Sequence, residues 1–366
     1  MFTNFLLIII ALLVLSILIL VHELGHFIAA KISGVWVEEF GIGLPPRVWG
    51  KKVGETIYSI NALPFGGFVR LHGETSDQEI SKPEKSFLNK SALARIFIAL
   101  AGIIMNFVLA TLAFTIIFYF TGILRGVEIV EIIPDSPAAT AGLEVGDQIL
   151  KVGTKKIGNP DYFGEIIAGN IGQTVSFEIY RGGVNKTFEI TLRDSFNDKE
   201  GALGVVYRPA EIYYAPLWQS PFVYSYAAIL KTYDYSERIF AGFGIIFGQL
   251  FGGHVPEGVA GPVGVTAIVA EVTKLGFLPL LEFVGIISIN LALLNLIPFP
   301  ALDGSRVMFV ILESIIGKKM VYKIESRAHT VGMSILLVLL LLLTISEVPK
   351  LLSASSLSSF VDTIIQ

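Results

Sequence analysis

From Phe5 to about Ala30 the chain is almost wholly apolar, yet before that run ends it reads VHELGH, residues 21 to 26. A stretch of roughly 20 apolar residues is long enough for a helix to cross a bilayer. Three further stretches qualify: Ile96 to Phe120, Leu278 to Ile297, and about Ala328 to Ser346. Of the 366 residues, 53% are hydrophobic and 16% charged, whereas a soluble domain carries about a quarter charged residues. The expected fold class is a multi-span α-helical membrane protein with about four transmembrane helices. The first run has no basic leader and no small-x-small cleavage site, and it passes directly into HELGH. It reads as a retained span rather than a signal peptide.

Lysines and arginines near the span ends set the expected orientation. Lys31, Arg47, Lys51, Lys52, Arg70, Lys82, Lys85, Lys90 and Arg95 lie between the first two spans; Arg306, Lys318, Lys319, Lys323 and Arg327 lie between the last two. Both basic segments, 31–95 and 300–328, are expected to face the cytoplasm. The insert from Thr121 to about Ser220 then faces outward. The net charge of −4 gives no sign of a nucleic-acid partner, and the absence of cysteine excludes disulfides, thiolate ligands and a cysteine nucleophile.

Between the first two spans, GVWVEEFGIGLPPRVWG and ETIYSINALPFGGFVRL alternate β-branched and aromatic residues and are broken by Gly and Pro. They read as strands and hairpins. Phe65, Phe68, Val69 and Leu71 are too apolar for an ordinary solvated loop. Two readings stay open, a sheet dipping back into the membrane, shielded by protein, and a small cytoplasmic sheet.

The insert reads as one small α+β domain. Strands are expected at Val127–Ile133, Gln148–Val152, Thr174–Tyr180 and Lys186–Leu192, the last two joined through Arg181-Gly182-Gly183. A short helix starts at Ser136 and is closed by Gly142; a second is capped by Asp161 and ends at Gly169. PDSPAATAGLEVGDQIL resembles a PDZ domain of the kind found in bacterial membrane and periplasmic proteases, with GALGVVYRP as a closing strand. Beyond it, Tyr213, Tyr214, Trp218, Phe222, Tyr224 and Tyr226 form an aromatic belt, and Lys231, Asp234, Glu237 and Arg238 interrupt any clean span. An amphipathic helix on the membrane is expected there, with a fifth span from near Ile239 as its competitor. The expected divisions are 1–123, a first membrane half; 124–208, the PDZ domain; 209–276, an interfacial segment; and 277–366, a second membrane half.

Residues four apart share one face of a helix, so His22 and His26 can reach one zinc ion while Glu23 reaches water as general base. Ionisable groups inside a span are costly and mark function. A catalytic zinc site needs a third protein ligand. Glu38 and Glu39 are nearest in sequence, but a glycine and a strand separate them from the helix. The better candidate is Asp303. INLALLNLIPFPALDGSRVM places Asn290 and Asn295 inside a span and then breaks the helix at Pro298 and Pro300. Unwound backbone at such depth lines sites rather than facing lipid. Other polar residues read as structural: His72 and His254 as loop residues, His329 and Glu347 as interfacial groups at the two ends of the last span. Asn106 could serve either helix–helix hydrogen bonding or a site.

The HELGH and the Asn…Asn-x-x-Pro-x-Pro-x-Leu-Asp-Gly string, in this order, resemble the site-2 protease family of intramembrane zinc metalloproteases, of the bacterial regulator-of-sigma-E type. FGIG, PFGGFVRLHGE, MNFVLA and GVAGPVGV match as well, so the resemblance runs nearly the length of the chain. It implies that His22, His26 and Asp303 hold one Zn2+ and that Glu23 activates water. It also implies that Asn290 and Asn295 position substrate or stabilise the transition state, and that the strands near Glu39 to Leu71 form a membrane-re-entrant β-loop. The implied substrates are single-pass membrane proteins, such as anti-sigma factors or remnant signal peptides, cut in the bacterial cytoplasmic membrane. The PDZ domain would screen them by size or bind a C-terminal peptide. Ile103 where the family often has Pro and Ser305-Arg306 after Asp-Gly depart from the family pattern, and a single PDZ domain and a short chain depart from the two-PDZ Gram-negative form; none touches a ligand. A metal transporter should repeat its polar residues in inverted halves, and no repeat is present. A non-catalytic zinc-binding PDZ adaptor would not need Glu23.

Overall fold

The computed structural model describes residues 2–74, 80–195, 201–252, 260–354 and 356–365; His254 lies outside them. The chain divides into two compact units, one made of residues 1–117 and 228–366 and the other of 118–227.

The first unit opens with α1 (Phe2–Ile32), followed by β1 (Val37–Val53), β2 (Thr56–Leu71) and α2 (Ala92–Thr121). β1 and β2 are long, and each doubles back. Phe40 pairs with Val69 on one side and Tyr58 on the other, Ile42 with Gly67 and Ile60, and Trp49 also with Ile60. Two strands thus make a ribbon four rungs across, with 63–71 as an outer rung. That rung lies along α1. Gly66 donates its N–H to the Ser16 hydroxyl (3.3 Å), and the hydroxyl lies 3.2 Å from the Pro64 carbonyl. A Cβ on Gly67 would come within 2.7 Å of the Leu20 side chain, so glycine is what lets the strand approach.

The second unit holds, in chain order, β3 (Ile123–Arg125), β4 (Val127–Ile132), α3 (Pro137–Ala141), β5 (Gln148–Val152), β6 (Lys155–Lys156), α4 (Pro160–Ala168), β7 (Thr174–Arg181), β8 (Val184–Thr191), β9 (Val205–Arg208) and β10 (Glu211–Tyr213). Its main sheet runs β8-β7-β5-β4-β9, with β6 beside β5. Ser136 caps α3 by accepting from the Ala139 N–H, and Gly142 ends it in the left-handed conformation (φ 82°). α4 corrects one expectation: Asn159, not Asp161, is its cap, its side chain accepting from the Tyr162 N–H, while Asp161 sits inside the first turn. β3 and β10 form a separate two-stranded ribbon where the chain enters and leaves the domain. Both strands are too short to show a period in the sequence.

The first unit then resumes within α5 (Ser220–Phe251) and continues through α6 (Pro262–Lys274), α7 (Phe277–Leu296), α8 (Asp303–Ile316), α9 (Lys318–Ser353) and α10 (Leu357–Ile365). Among the described residues four helices are long and apolar enough to cross a membrane: Leu6–Ile32, Ala92–Thr121, Phe277–Leu296 and Ile324–Ser353. α5 is one continuous helix whose middle, from Lys231 to Tyr235, meets α2 and α7. Lys231 pairs with Glu282 (2.7 Å) and Tyr235 stacks on Phe114 at 5.5 Å. Glu347, read from the sequence as an interfacial group, has a role that the sequence does not show. It is buried, and its carboxylate accepts from Gly261 N–H (2.6 Å) and Gly264 N–H (3.1 Å) at the start of α6. This supplies acceptors to the orphan donors of a helix N-terminus.

Candidate metal centre

The first two ligating side chains come from the last turns of α1. Helical spacing puts His22 and His26 on one face, and α2 is close enough to press on both. At Gly25 a Cβ would collide with the Ala101 carbonyl oxygen, and at Gly102 it would lie 2.5 Å from His26 Nε2 and 2.7 Å from His22 Cε1. Glycine on each helix therefore clears the space in which the imidazoles sit. His26 Nδ1 lies 2.8 Å from the Ile98 carbonyl. A carbonyl can only accept, so Nδ1 carries a proton, and in the neutral ring that leaves the lone pair on Nε2 for a metal.

The third side chain arrives from the far end of the chain. Pro298 and Pro300 lack the N–H a helix requires; α7 stops at Leu296, and α8 starts at Asp303. Gly304 is needed at that restart, because a Cβ there would strike the Leu296 carbonyl oxygen and lie 2.5 Å from that of Ile297. The turn delivers Asp303 Oδ2 to 3.0 Å from His22 Nε2 and 3.1 Å from His26 Nε2, with the two Nε2 atoms 3.2 Å apart.

These three atoms fit a single metal ion. Ligands bound about 2.0–2.1 Å from a tetrahedral ion stand about 3.3 Å apart, close to the spacing here. Two imidazole nitrogens and a carboxylate oxygen also match the donor preference of zinc. Among the described residues this is the one group of His, Asp or Glu with converging ligand atoms. The earlier rivals are spent elsewhere. Glu39 pairs with Arg47 (2.6 Å), and Glu38 takes a hydrogen bond from His72 Nδ1 (2.7 Å). His72 is a loop residue as expected, but a buried one.

Glu23 and the ligands line a cavity of about 360 Å3 whose wall also includes Phe68, Asn295, Arg306 and His329. Val69, on the outer rung of β2, donates its N–H to Glu23 Oε2 (3.1 Å). Asn290 is not part of the cavity wall; its Oδ1 is buried and has no hydrogen-bond partner among the described residues. His329, expected at a membrane interface, instead faces the cavity. Arg306, one helical turn beyond Asp303, pairs with Glu74 at 2.6 Å, and that carboxylate holds the guanidinium pKa above its ordinary value. Neither Arg306 nor Glu74 stands out in the sequence, since basic and acidic residues near span ends are common.

The model of peptidase family M50 matches residues 10–339. The chain belongs to peptidase family M50. A protein of Clostridium perfringens, whose name assigns it to the zinc metalloproteases, is 36% identical over 346 residues, which cover 93% of this chain and 98% of that one. Zinc metalloprotease RasP of Geobacillus kaustophilus is 27% identical, covering 91% of this chain and 95% of its own. The solved PDZ domain of an SdrC-like protein from Listeria monocytogenes is 26% identical and covers 23% of this M50 chain and 87% of its own, with a TM-score of 0.21.

Proposed function

We propose that this M50 peptidase is an intramembrane zinc metalloprotease in which His22, His26 and Asp303 hold one zinc ion, Glu23 moves the proton, and Asn295 and Asn290 orient the substrate. One observation carries the assignment: ligand atoms from residues 22, 26 and 303 meet within 3.2 Å of one another, with Glu23 on the wall of the same cavity.

When bound, zinc supplies Lewis acidity, polarising a scissile carbonyl and lowering the pKa of water toward neutrality. Glu23 takes the proton that water releases as its oxygen bonds to the carbonyl carbon. It returns that proton to the amine nitrogen as the C–N bond breaks. The Val69 N–H keeps the carboxylate against the cavity wall by one oxygen. Asn295 can donate an amide N–H to the oxygen on which charge develops; Asn290, on the same helix but off the cavity wall, would act on the substrate through the position of that helix.

The family acts on membrane proteins. The finer reading takes single-pass substrates, such as anti-sigma factors or remnant signal peptides, whose spans must unwind to expose a peptide bond. The outer rung of β2 lies along α1 at the level of Ser16, well inside the span, which supports a sheet that dips into the membrane. An unwound segment could join its edge by β-augmentation. The basic loops 31–95 and 300–328 would face the cytoplasm of a bacterial cell, and the PDZ domain would face outward, receiving a C-terminal peptide or excluding bulky partners.

The test uses purified protein in detergent with a panel of single-span substrates, with and without a zinc chelator, beside Glu23→Gln. Cleavage within the substrate's span that zinc restores and the variant lacks is the expected result. Equal inertness of wild type and variant, with zinc bound at one per chain, would favour the non-catalytic adaptor.

A further inference from the structure

Asn106 is fully buried in α2, one turn beyond the Gly102 that touches both imidazoles. Its amide nitrogen lies 3.3 Å from His22 Nδ1, while its Oδ1 is buried with no hydrogen-bond partner among the described residues. The Ser288 hydroxyl, from α7, donates to the Asn106 backbone carbonyl at 2.8 Å and fixes this stretch of α2 in place.

The two ring nitrogens of His22 have linked fates. With the amide nitrogen toward Nδ1, Nδ1 must accept and the ring proton sits on Nε2, where it points at Asp303 Oδ2. Metal binding through Nε2 demands the opposite tautomer, with the proton on Nδ1. Amide nitrogen and oxygen are nearly alike in shape, so a half-turn of the side chain exchanges them. That turn presents Oδ1 to Nδ1–H and gives the orphaned acceptor its donor. His26 needs no such help, because the Ile98 carbonyl already holds its Nδ1 proton.

We infer that Asn106 is the positioning residue of the metal centre: its Oδ1 accepts from His22 Nδ1–H and so holds His22 in the tautomer that binds metal. This rests on the assignment of His22, His26 and Asp303 as ligands. Outer-shell partners of ligating histidines typically contribute 10–100-fold to metal affinity. An amide serving only to join helices would alter stability and leave zinc affinity as it is.

The experiment measures zinc dissociation constants for the full-length, detergent-solubilised protein by competition with a chromophoric chelator, together with the visible spectrum of the Co2+-loaded form. Asn106→Leu keeps the side chain's size and removes the acceptor; about a 10–100-fold loss of zinc affinity is expected, with an altered cobalt spectrum. Asn106→Asp restores an acceptor that, ionised, cannot donate, and should bind zinc nearly as wild type does. Wild-type affinity in Asn106→Leu would overturn the inference, and so would equal weakness of Asn106→Asp and Asn106→Leu. Should the leucine variant fail to fold, the aspartate variant decides alone: retained zinc supports the accepting role and lost zinc overturns it. If wild type itself takes up no zinc, it is the ligand assignment that fails rather than the role of Asn106.

Discussion

The inserted α+β unit and the unit that carries the long apolar helices differ less in what they bury than in what they expose. In the first, Phe163, Phe177, Ile129, Ile149 and Ile179 are buried together, as expected where apolar surface leaves water. In the second, α2 buries Ile98, Ile103 and Phe114 together with Gly102, Asn106 and Ala110, yet it also turns Ile104, Val108 and Leu112 outward, while α9 exposes Ile335, Leu337, Leu339 and Leu341. Helices in lipid gain nothing by hiding leucine from leucine-like solvent; they pack through small residues and polar contacts. Where the inserted unit keeps its bulky apolar residues inside, this unit carries them both inside and out, and sets small and polar residues where α2 meets the imidazoles. That leaves room for two histidines, a glutamate and an aspartate at the place where the helices meet.

The sharpest way to break this contrast is Phe177→Ala. It removes a fully buried ring, and about 3–5 kcal/mol of stability should go with it. Limited proteolysis of the full chain should then show cleavage confined to residues 118–227, with zinc uptake unchanged. Zinc loss on unfolding of that unit would show that the two are energetically coupled.

Asp303→Asn acts at the other extreme. It keeps the shape and removes one anionic candidate ligand, so zinc affinity should fall by more than the roughly 100-fold that an outer-shell change can cost, while thermal unfolding of the inserted α+β unit stays where it was. Chelator competition and calorimetry on one preparation read both.

Glu347→Ala removes the acceptor that holds the start of α6. Leaving the buried Gly261 and Gly264 N–H groups without it should cost about 1–3 kcal/mol, read as a lower midpoint for unfolding of the membrane unit in mixed micelles. No change would mean that water or lipid headgroups replace the carboxylate.

The smallest effect is expected at Leu339, half exposed on α9. Leu339→Ala should change stability by no more than about 0.5 kcal/mol, although it deletes atoms as apolar as those of Phe177. A loss of several kcal/mol there would mean that this face of α9 is covered by protein rather than lipid.

Much of both units was legible because the signals were local. Four apolar runs announced four long helices, and Ser136 with Gly142 bracketed α3 as written. The helix spacing of His22 and His26 put them on one face. The cap of α4 is a local choice between two residues that can both cap a helix, and it is Asn159 rather than Asp161 that accepts from Tyr162. The other features hidden from the sequence depend on distant partners. The role of Glu347 as acceptor for α6 rests on glycines 83 and 86 residues away. His329 looked peripheral because nothing near it in sequence reveals the cavity it faces. The β1–β2 ribbon could be read as strands, but not as strands that pair on both sides.

The sequence by itself determined that the chain carries spans long enough for a bilayer, a small inserted α+β domain, and a histidine pair with a glutamate where lipid should be, since periodicity and hydropathy depend only on neighbours along the chain. The tertiary structure brought Asp303, which the sequence offers as the third ligand, to His22 and His26, and it alone placed Asn295, Arg306 and His329 on one cavity and Asn106 beside His22. Those contacts span as many as 281 residues, from His22 to Asp303. They exist because two prolines end one helix, and because glycines at 25, 102 and 304 let backbone and rings approach more closely than any side chain would allow.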